Sequence, residues 1–116
     1  MQRKFRLTRS EDFKRVRRSG KSYAHPLVVL IVQTHDQPRV KVGVAAGRTV
    51  GTAVHRNRAK RLLREAMRSL IPNISSNLDV ILIARPGLVT ATLEETRRAL
   101  LTLLERAKIL IPTNES

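Results

Sequence analysis

Apolar residues along the chain fall into strand-like and helix-like spacings. Short apolar or alternating runs predict strands over residues 25–34 (HPLVVLIVQT), 39–46 (RVKVGVAA) and 78–85 (LDVILIAR). The segment GKSYAH, residues 20–25, has the composition for an additional short strand. Helical spacing predicts three helices, over residues 7–20, from Thr52 to about residue 70, and over residues 92–110.

Capping patterns support all three of these helices, and an apolar stripe supports the last. Thr8 with Glu11 and Thr92 with Glu95 match the capping box, and Thr52 is a candidate N-cap for the middle helix. Gly20 is expected to stop the first helix and Pro112 to end the last one. The last helix should bury one stripe, made of Leu93, Leu100, Leu103, Leu104 and Ala107.

The predicted order is α-β-β-β-α-β-α, which indicates an α+β fold. We expect one domain over residues 1–116, a two-layer sandwich with helices on one or both faces of a small sheet. In the second strand of this series Val40, Val42 and Val44 share a face, while Gly43 interrupts the other. A glycine there indicates a bulge or a close backbone approach.

The middle helix divides into two surfaces when each residue advances about 100°. One arc is apolar and should face the sheet: Ala59, Leu62, Leu63, Ala66, Met67 and Leu70. The opposite arc is cationic, with Glu65 as its only acid: Arg58, Lys60, Arg61, Arg64 and Arg68. Arg56 and Arg58 frame this arc, and Asn57 lies near its centre. An amide among cations can donate to and accept from a base edge, a 2′-hydroxyl or a hydrated metal, so Asn57 is a candidate RNA contact.

Composition indicates what this cationic arc binds. Lys and Arg number 23 against 9 acids, a formal charge of +14, and a polyanionic partner would relieve the self-repulsion. Residues 1–21 hold nine bases and two acids, whereas residues 92–116 hold four of each. We therefore expect the arc to bind nucleic acid. The alternatives are that it is only a solvated helix face or that it lies on an anionic membrane. With two Phe and one Tyr, a platform that stacks many single-stranded bases is disfavoured.

Several classes of protein are excluded or disfavoured. The chain has no cysteine, so it forms no disulfide or thiolate site. No apolar run reaches the length of a membrane span, and the first residues lack the apolar stretch of a secretory signal, so a cytoplasmic location is expected. The three His residues have no metal-ligand spacing and the acids are scattered, so we assign no catalytic residue and no metal ligand to the protein.

The segment RVKVGVAAGRTVGTAVHRNRAKRLLREAMR, residues 39–68, resembles the protein component of bacterial ribonuclease P. RLTRSEDFKRVRRSGKSYAHP is similar to the family's first helix and turn, and DVILIARPG to its last strand. The resemblance implies the fold of the second domain of ribosomal protein S5, with a left-handed βαβ crossover. It also implies that a catalytic RNA subunit, with Mg²⁺ bound chiefly by that RNA, removes the 5′ leader of precursor tRNA.

The resemblance, together with the cationic arc for Arg68, assigns two sets of binding residues. The set expected to contact ribonuclease P RNA comprises Arg48, Arg56, Asn57, Arg58, Lys60, Arg61, Arg64 and Arg68. The set expected to bind the leader of precursor tRNA comprises Arg6, Phe13 and Arg17. The protein is expected to bind this RNA as a monomer, in a 1:1 complex.

Three departures from the family pattern concern these sets. The loop AAGRT lacks one cation that relatives often carry, and Thr52 stands where Asn is common. Arg17 stands where many relatives have an aromatic residue, and the strand LVVLIVQ has no ring. We therefore expect the leader cleft to bind more by charge and aliphatic contact than by stacking. A ribosomal or assembly RNA-binding protein, and more remotely a DNA-compacting protein, are the alternative functions.

Overall fold

One four-stranded sheet organises the molecule, and its strands, counted along the chain, lie in the spatial order first, second, fourth, third. The computed structural model describes residues 5–111 of the chain. The helices are α1 (Ser10–Ser19), α2 (Ala53–Arg68) and α3 (Leu93–Arg106), and the strands are β1 (Lys21–Ala24), β2 (Val28–Thr34), β3 (Val40–Ala46) and β4 (Leu78–Ala84). The α-β-β-β-α-β-α order is confirmed, including the short strand in the segment 20–25.

The pairing of the strands is mixed. β2 lies antiparallel to both β1 and β4, whereas β3 pairs in parallel with β4 along its whole length. Because parallel neighbours need a crossover, α2 connects the end of β3 to the start of β4 across one face of the sheet. The left-handed sense of this crossover stays a prediction, as does the extent of the domain over residues 1–116.

The larger core lies between the sheet and the helices α2 and α3. Alternate residues of β2 and β4, such as Leu30 and Leu82, point to this side and are fully buried. From the helices, Leu63, Met67 and Leu100 pack against them. The apolar arc predicted for α2 is thus the buried face, with Leu62 only half-buried at its edge.

The smaller core lies on the other face of the sheet, beneath α1. Its buried members are Leu7, Val16, Ile31 and Ile81, with Phe13 half-buried beside them. A Cβ on Gly43 would lie 2.4 Å from Cζ of Phe13, so only glycine lets the ring pack on β3. Of the two interpretations of Gly43, the close approach is confirmed, because the β3–β4 register continues through it without a bulge.

One buried carboxylate joins α1 to the sheet. Asp79 on β4 is fully buried and accepts hydrogen bonds from Arg15 of α1 at 2.8 Å and from Arg39, just before β3, at 2.7 Å. The Nε2 atom of His35 lies 3.4 Å from the same carboxylate. Burial raises the pKa of Asp79, but the hydrogen bonds from Arg15 and Arg39 and the charge of Arg39 outweigh this effect and hold the pKa below its usual value.

Two helix starts are confirmed and one is wrong. Thr52 caps α2 by accepting from the amide of His55, and Thr92 forms the full capping box with Glu95. The Thr8–Glu11 box is wrong, because α1 begins at Ser10 with Arg9 at the cap and no side-chain cap bond. The preceding chain follows β3 instead, where the amide of Leu7 donates to the carbonyl of Val42 at 2.8 Å.

The last helix differs from its prediction at both ends. Leu93 is 44% exposed instead of part of the core stripe, because in the first turn of α3 it faces an open groove beside α2. α3 ends at Arg106, where Lys108 adopts a φ of 60° and the amide of Ile109 donates to the carbonyl of Leu104. This Schellman arrangement stops the helix before Pro112, which lies outside the described residues.

Candidate nucleic-acid interface

The cationic arc of α2 faces outward because its opposite side is fixed in the core. Ala59, Leu63, Ala66 and Met67 are each at most 1% exposed, which sets the rotation of the helix. Asn57, Arg58 and Arg61 consequently lie on the exposed side, while Arg56, Lys60 and Arg64 are half-buried at its margins. Arg48 is exposed in the 3₁₀ turn that precedes the helix.

Backbone carbonyls orient two of these arginines. Nε of Arg56 donates to the carbonyl of Gly51 at 3.1 Å, and Nε of Arg58 donates to the carbonyl of Val89 at 3.1 Å. Gly51 has a φ of 133°, and a Cβ there would lie 2.6 Å from Nδ1 of His55, so the loop requires glycine. A guanidinium has five N–H donors, and a bond through Nε leaves its terminal NH₂ groups for an anion.

Most of the cations in the predicted RNA-binding set have no acidic partner. Within residues 5–111, none of the seven forms an ion pair except Arg68, which lies 2.7 Å from Glu65. The unpaired six are Arg48, Arg56, Arg58, Lys60, Arg61 and Arg64. The arrangement is suited to multiple phosphate contacts, since each unpaired cation can replace a counterion of a nucleic acid backbone.

A small cleft beside edge strand β3 brings both predicted sets together. Arg6 and Phe13 from the leader set and Arg64 from the RNA set line the same cavity of about 230 Å³. Its other lining residues are Leu7, Thr8, Val42, Gly43 and Val44. The cleft forms because the chain at Arg6 bridges to Val42 of β3. Phe13 of α1 and Arg64 of α2 line the same space. Among residues 5–111, no acidic side chain lines it.

The electrostatics of this cleft favour an anion. Burial and the charge of Arg6 together lower the pKa of Arg64 from its usual value, with burial the larger cause. Arginine nevertheless remains protonated at neutral pH, so two like charges face one cleft. A phosphate between them would relieve their repulsion.

Arg17 is the one member of the leader set that lies apart. It is exposed on α1, one turn beyond Phe13, and it is not among the residues that line the cleft. The structure therefore brings Arg6 and Phe13 together and leaves Arg17 outside them.

Sequence reasoning overlooked an apolar residue within the cationic face. Val54 is 75% exposed in the first turn of α2. The same spacing of about 100° per residue places it at about 160° from Arg56, between Arg61 and Arg58. The helical repeat alone could therefore have placed Val54 on the cationic face. Leu93 of α3, assigned to the core, lies across a groove from it.

The described residues offer neither a metal site nor a membrane-spanning helix. Residues 5–111 contain no group of three or more His, Cys, Asp or Glu side chains able to hold a metal ion. Over the same residues, no helix combines the length and the apolar character required to cross a bilayer.

The family model described as Ribonuclease P matches residues 1–108 of the chain. The ribonuclease P protein component of Herpetosiphon aurantiacus is 43% identical over 109 residues, covering 94% of this chain and 89% of the relative. That of Chloroflexus aurantiacus is 36% identical over 118 residues, covering 100% and 87%.

Solved structures agree with these sequence relatives. The chain is similar to the RNase P protein of Staphylococcus aureus, with a TM-score of 0.81, 27% identity and coverage of 91% of this chain and 97% of that one. For the RNase P protein of Thermotoga maritima the TM-score is 0.77 and the identity 28%, with coverage of 87% and 96%.

Proposed function

The chain belongs to the ribonuclease P protein family, and from this premise we propose that it holds the RNA subunit and the 5′ leader of precursor tRNA on one continuous surface. The RNA subunit meets the outward arc of α2 and the preceding Arg48. The leader enters the cleft between α1 and β3. In this proposal the protein binds the RNA as a monomer in a 1:1 complex and acts in the cytoplasm.

The observation that carries this proposal is the position of Arg64. It belongs to the cationic arc of α2, yet it lines the same cleft as Arg6 and Phe13. A phosphate backbone that leaves the α2 face can therefore pass into the cleft without meeting a carboxylate. This continuity supports a role in which RNA subunit and substrate are held side by side.

Leader binding in this cleft relies on charge and aliphatic contact. Phe13 is the only aromatic residue that lines it, and Val42 and Val44 supply the remaining apolar surface. Contacts of this kind tolerate different bases, because phosphates and aliphatic side chains carry little sequence information. We expect weak preference for leader sequence and marked dependence on salt.

The cleavage chemistry is assigned to the RNA subunit. Mg²⁺, which supplies phosphodiester hydrolysis when bound there, has no fitting carboxylate set among residues 5–111. Asp79, the one buried carboxylate among them, is already paired with Arg15 and Arg39. The protein residues thus bind and orient RNA, and we assign them no step of bond cleavage.

Reconstituted cleavage tests the proposal against a role as a ribosomal or assembly RNA-binding protein. Purified protein is mixed with ribonuclease P RNA and precursor tRNA at a Mg²⁺ concentration too low for the RNA alone. We expect cleavage at the 5′ end of the mature tRNA. RNA binding without any gain in cleavage would refute the proposal and favour the alternative function.

A further inference from the structure

An apolar groove interrupts the cationic face of α2. It has a volume of about 430 Å³ and lies between residues 54–65 of α2 and the start of α3. Val54, Leu62 and Leu93 form its apolar surface, and Arg58, Arg61 and Glu65 rim it. Its size falls within the range of about 300–1,000 Å³ that is usual for sites of small ligands.

The groove concentrates the exposed apolar surface of the molecule. Within residues 5–111 the exposed large apolar side chains are Val54 at 75%, Ile111 at 49% and Leu93 at 44%, and two of these three line the groove. Valine is also a weak helix former, so Val54 contributes little to α2 itself. Its place among arginines indicates contact with a partner that is both apolar and anionic.

Charge identifies the class of that partner. Arg58 and Arg61 lack acidic partners within the described residues and stand at the rim of the groove. A nucleotide combines an apolar base face with an anionic phosphate, whereas an apolar protein helix would leave both arginines uncompensated.

We propose that this groove seats an unpaired base of the RNA subunit, with the phosphates on either side of it bound by Arg58 and Arg61. The inference rests on the proposed function and adds a base contact to a surface otherwise suited to phosphates. The bond from Nε of Arg58 to the carbonyl of Val89 fixes that guanidinium at the rim before RNA arrives.

Glu65 gives the groove a preference among bases. It bonds Arg68 through Oε2 at 2.7 Å, and its second oxygen can accept from an exocyclic amine. Adenine, cytosine and guanine carry such an amine and uracil does not. The seated base is therefore an amino-bearing one.

The test removes the apolar surface without changing charge. The variant Val54→Ser with Leu93→Ser should weaken binding of ribonuclease P RNA about ten-fold, through lost apolar burial. Its salt dependence should match that of the wild type, because no cation is removed. Both residues are exposed, and a circular dichroism melt of each variant verifies that the fold is kept.

Ile111→Ser is the matched control, since it replaces an exposed apolar residue away from the groove. It should bind RNA as the wild type does. Chemical probing adds the readout for a base: with dimethyl sulfate and kethoxal, wild-type protein should protect at least one base that stays reactive with the double variant.

Three results would overturn the inference. If the double variant binds ribonuclease P RNA as tightly as the wild type, the groove does not seat a base. The proposed function would still stand, provided that the wild type prefers ribonuclease P RNA to an unrelated RNA of equal length. Self-association of the wild type in sedimentation, lost in the double variant, would assign the groove to a second copy of the chain. Absence of any preference for ribonuclease P RNA would refute the proposed function and the groove together.

Discussion

Arginines occupy two contrasting settings in this fold. Arg15 and Arg39 converge on the buried Asp79 at 2.8 and 2.7 Å and hold α1, β3 and β4 together. Arg58 and Arg61 of α2 have no acidic partner within residues 5–111 and lie on an exposed surface. The charge of the first pair is balanced by a carboxylate inside the protein. The charge of the second pair can instead be balanced by an anionic partner.

The difference shows that the number of cations does not define a binding surface. All four residues add equally to the formal charge of +14. A buried carboxylate makes two of them structural, because an uncompensated buried charge is costly. We assign RNA binding to Arg58 and Arg61, whose charge stays uncompensated within the described residues.

The largest expected effect comes from removing the internal counterion. Asp79→Asn should lower the free energy of unfolding by about 2–3 kcal/mol, less than for a fully buried pair because Arg15 and Arg39 are about a third exposed and can turn to water. Urea unfolding of the wild type and the variant measures this loss. Asp36→Asn, in an exposed turn, is the control and should change little. Equal stability of Asp79→Asn and the wild type would contradict a structural role for the cluster of Asp79, Arg15 and Arg39.

The same cluster predicts a dependence on pH. Because the pKa of Asp79 is lower in the folded protein than in the unfolded chain, its stabilisation is present above a pH of about 4 and is lost as the pH falls below that value. The stability difference between wild type and Asp79→Asn should therefore shrink between pH 6 and pH 3. A difference of the same size at both pH values would contradict this assignment.

The cleft is expected to give an effect of intermediate size. Arg6→Ala and Arg64→Ala should each weaken binding of leader-bearing precursor tRNA to the assembled enzyme about ten-fold, through lost charge-assisted hydrogen bonds. Binding of mature tRNA, which has no leader, should change much less. Arg98→Ala on α3 is the control for charge alone. Equal losses of affinity for precursor and mature tRNA would show that this cleft does not bind the leader.

Asn57 is expected to give the smallest effect. Asn57→Ala should weaken binding of ribonuclease P RNA about three-fold through the loss of a neutral hydrogen bond. The slope of log affinity against log salt should stay unchanged, because no charge is removed. A change confined to that slope would contradict the role of Asn57 as a hydrogen-bonding residue within the cationic arc.

Features set by local spacing could be predicted from the sequence. The helical repeat was enough to place Leu63 and Met67 in the core and Asn57 and Arg61 outside. The parallel pairing of β3 and β4 around α2 agrees with the fold that the family resemblance implied. These features follow from neighbours in the chain or from a long matching motif.

Features set by distant pairs could not be predicted in this way. Arg15 and Asp79 are 64 residues apart, and only the packing of α1 on the sheet brings them together. The approach of Arg6 to Arg64 likewise depends on the bridge between Arg6 and Val42. Leu93 was assigned to the core because its helical position fits the stripe, whereas its exposure depends on the groove left between α2 and α3.

The most direct test compares one arginine from each setting in the salt dependence of binding to ribonuclease P RNA. Arg61→Ala should reduce the slope of log affinity against log salt by about one unit. Arg39→Ala should leave the slope unchanged, since its charge is held by Asp79, although it should lower stability. Equal slope changes in the two variants, or none in Arg61→Ala, would contradict the account.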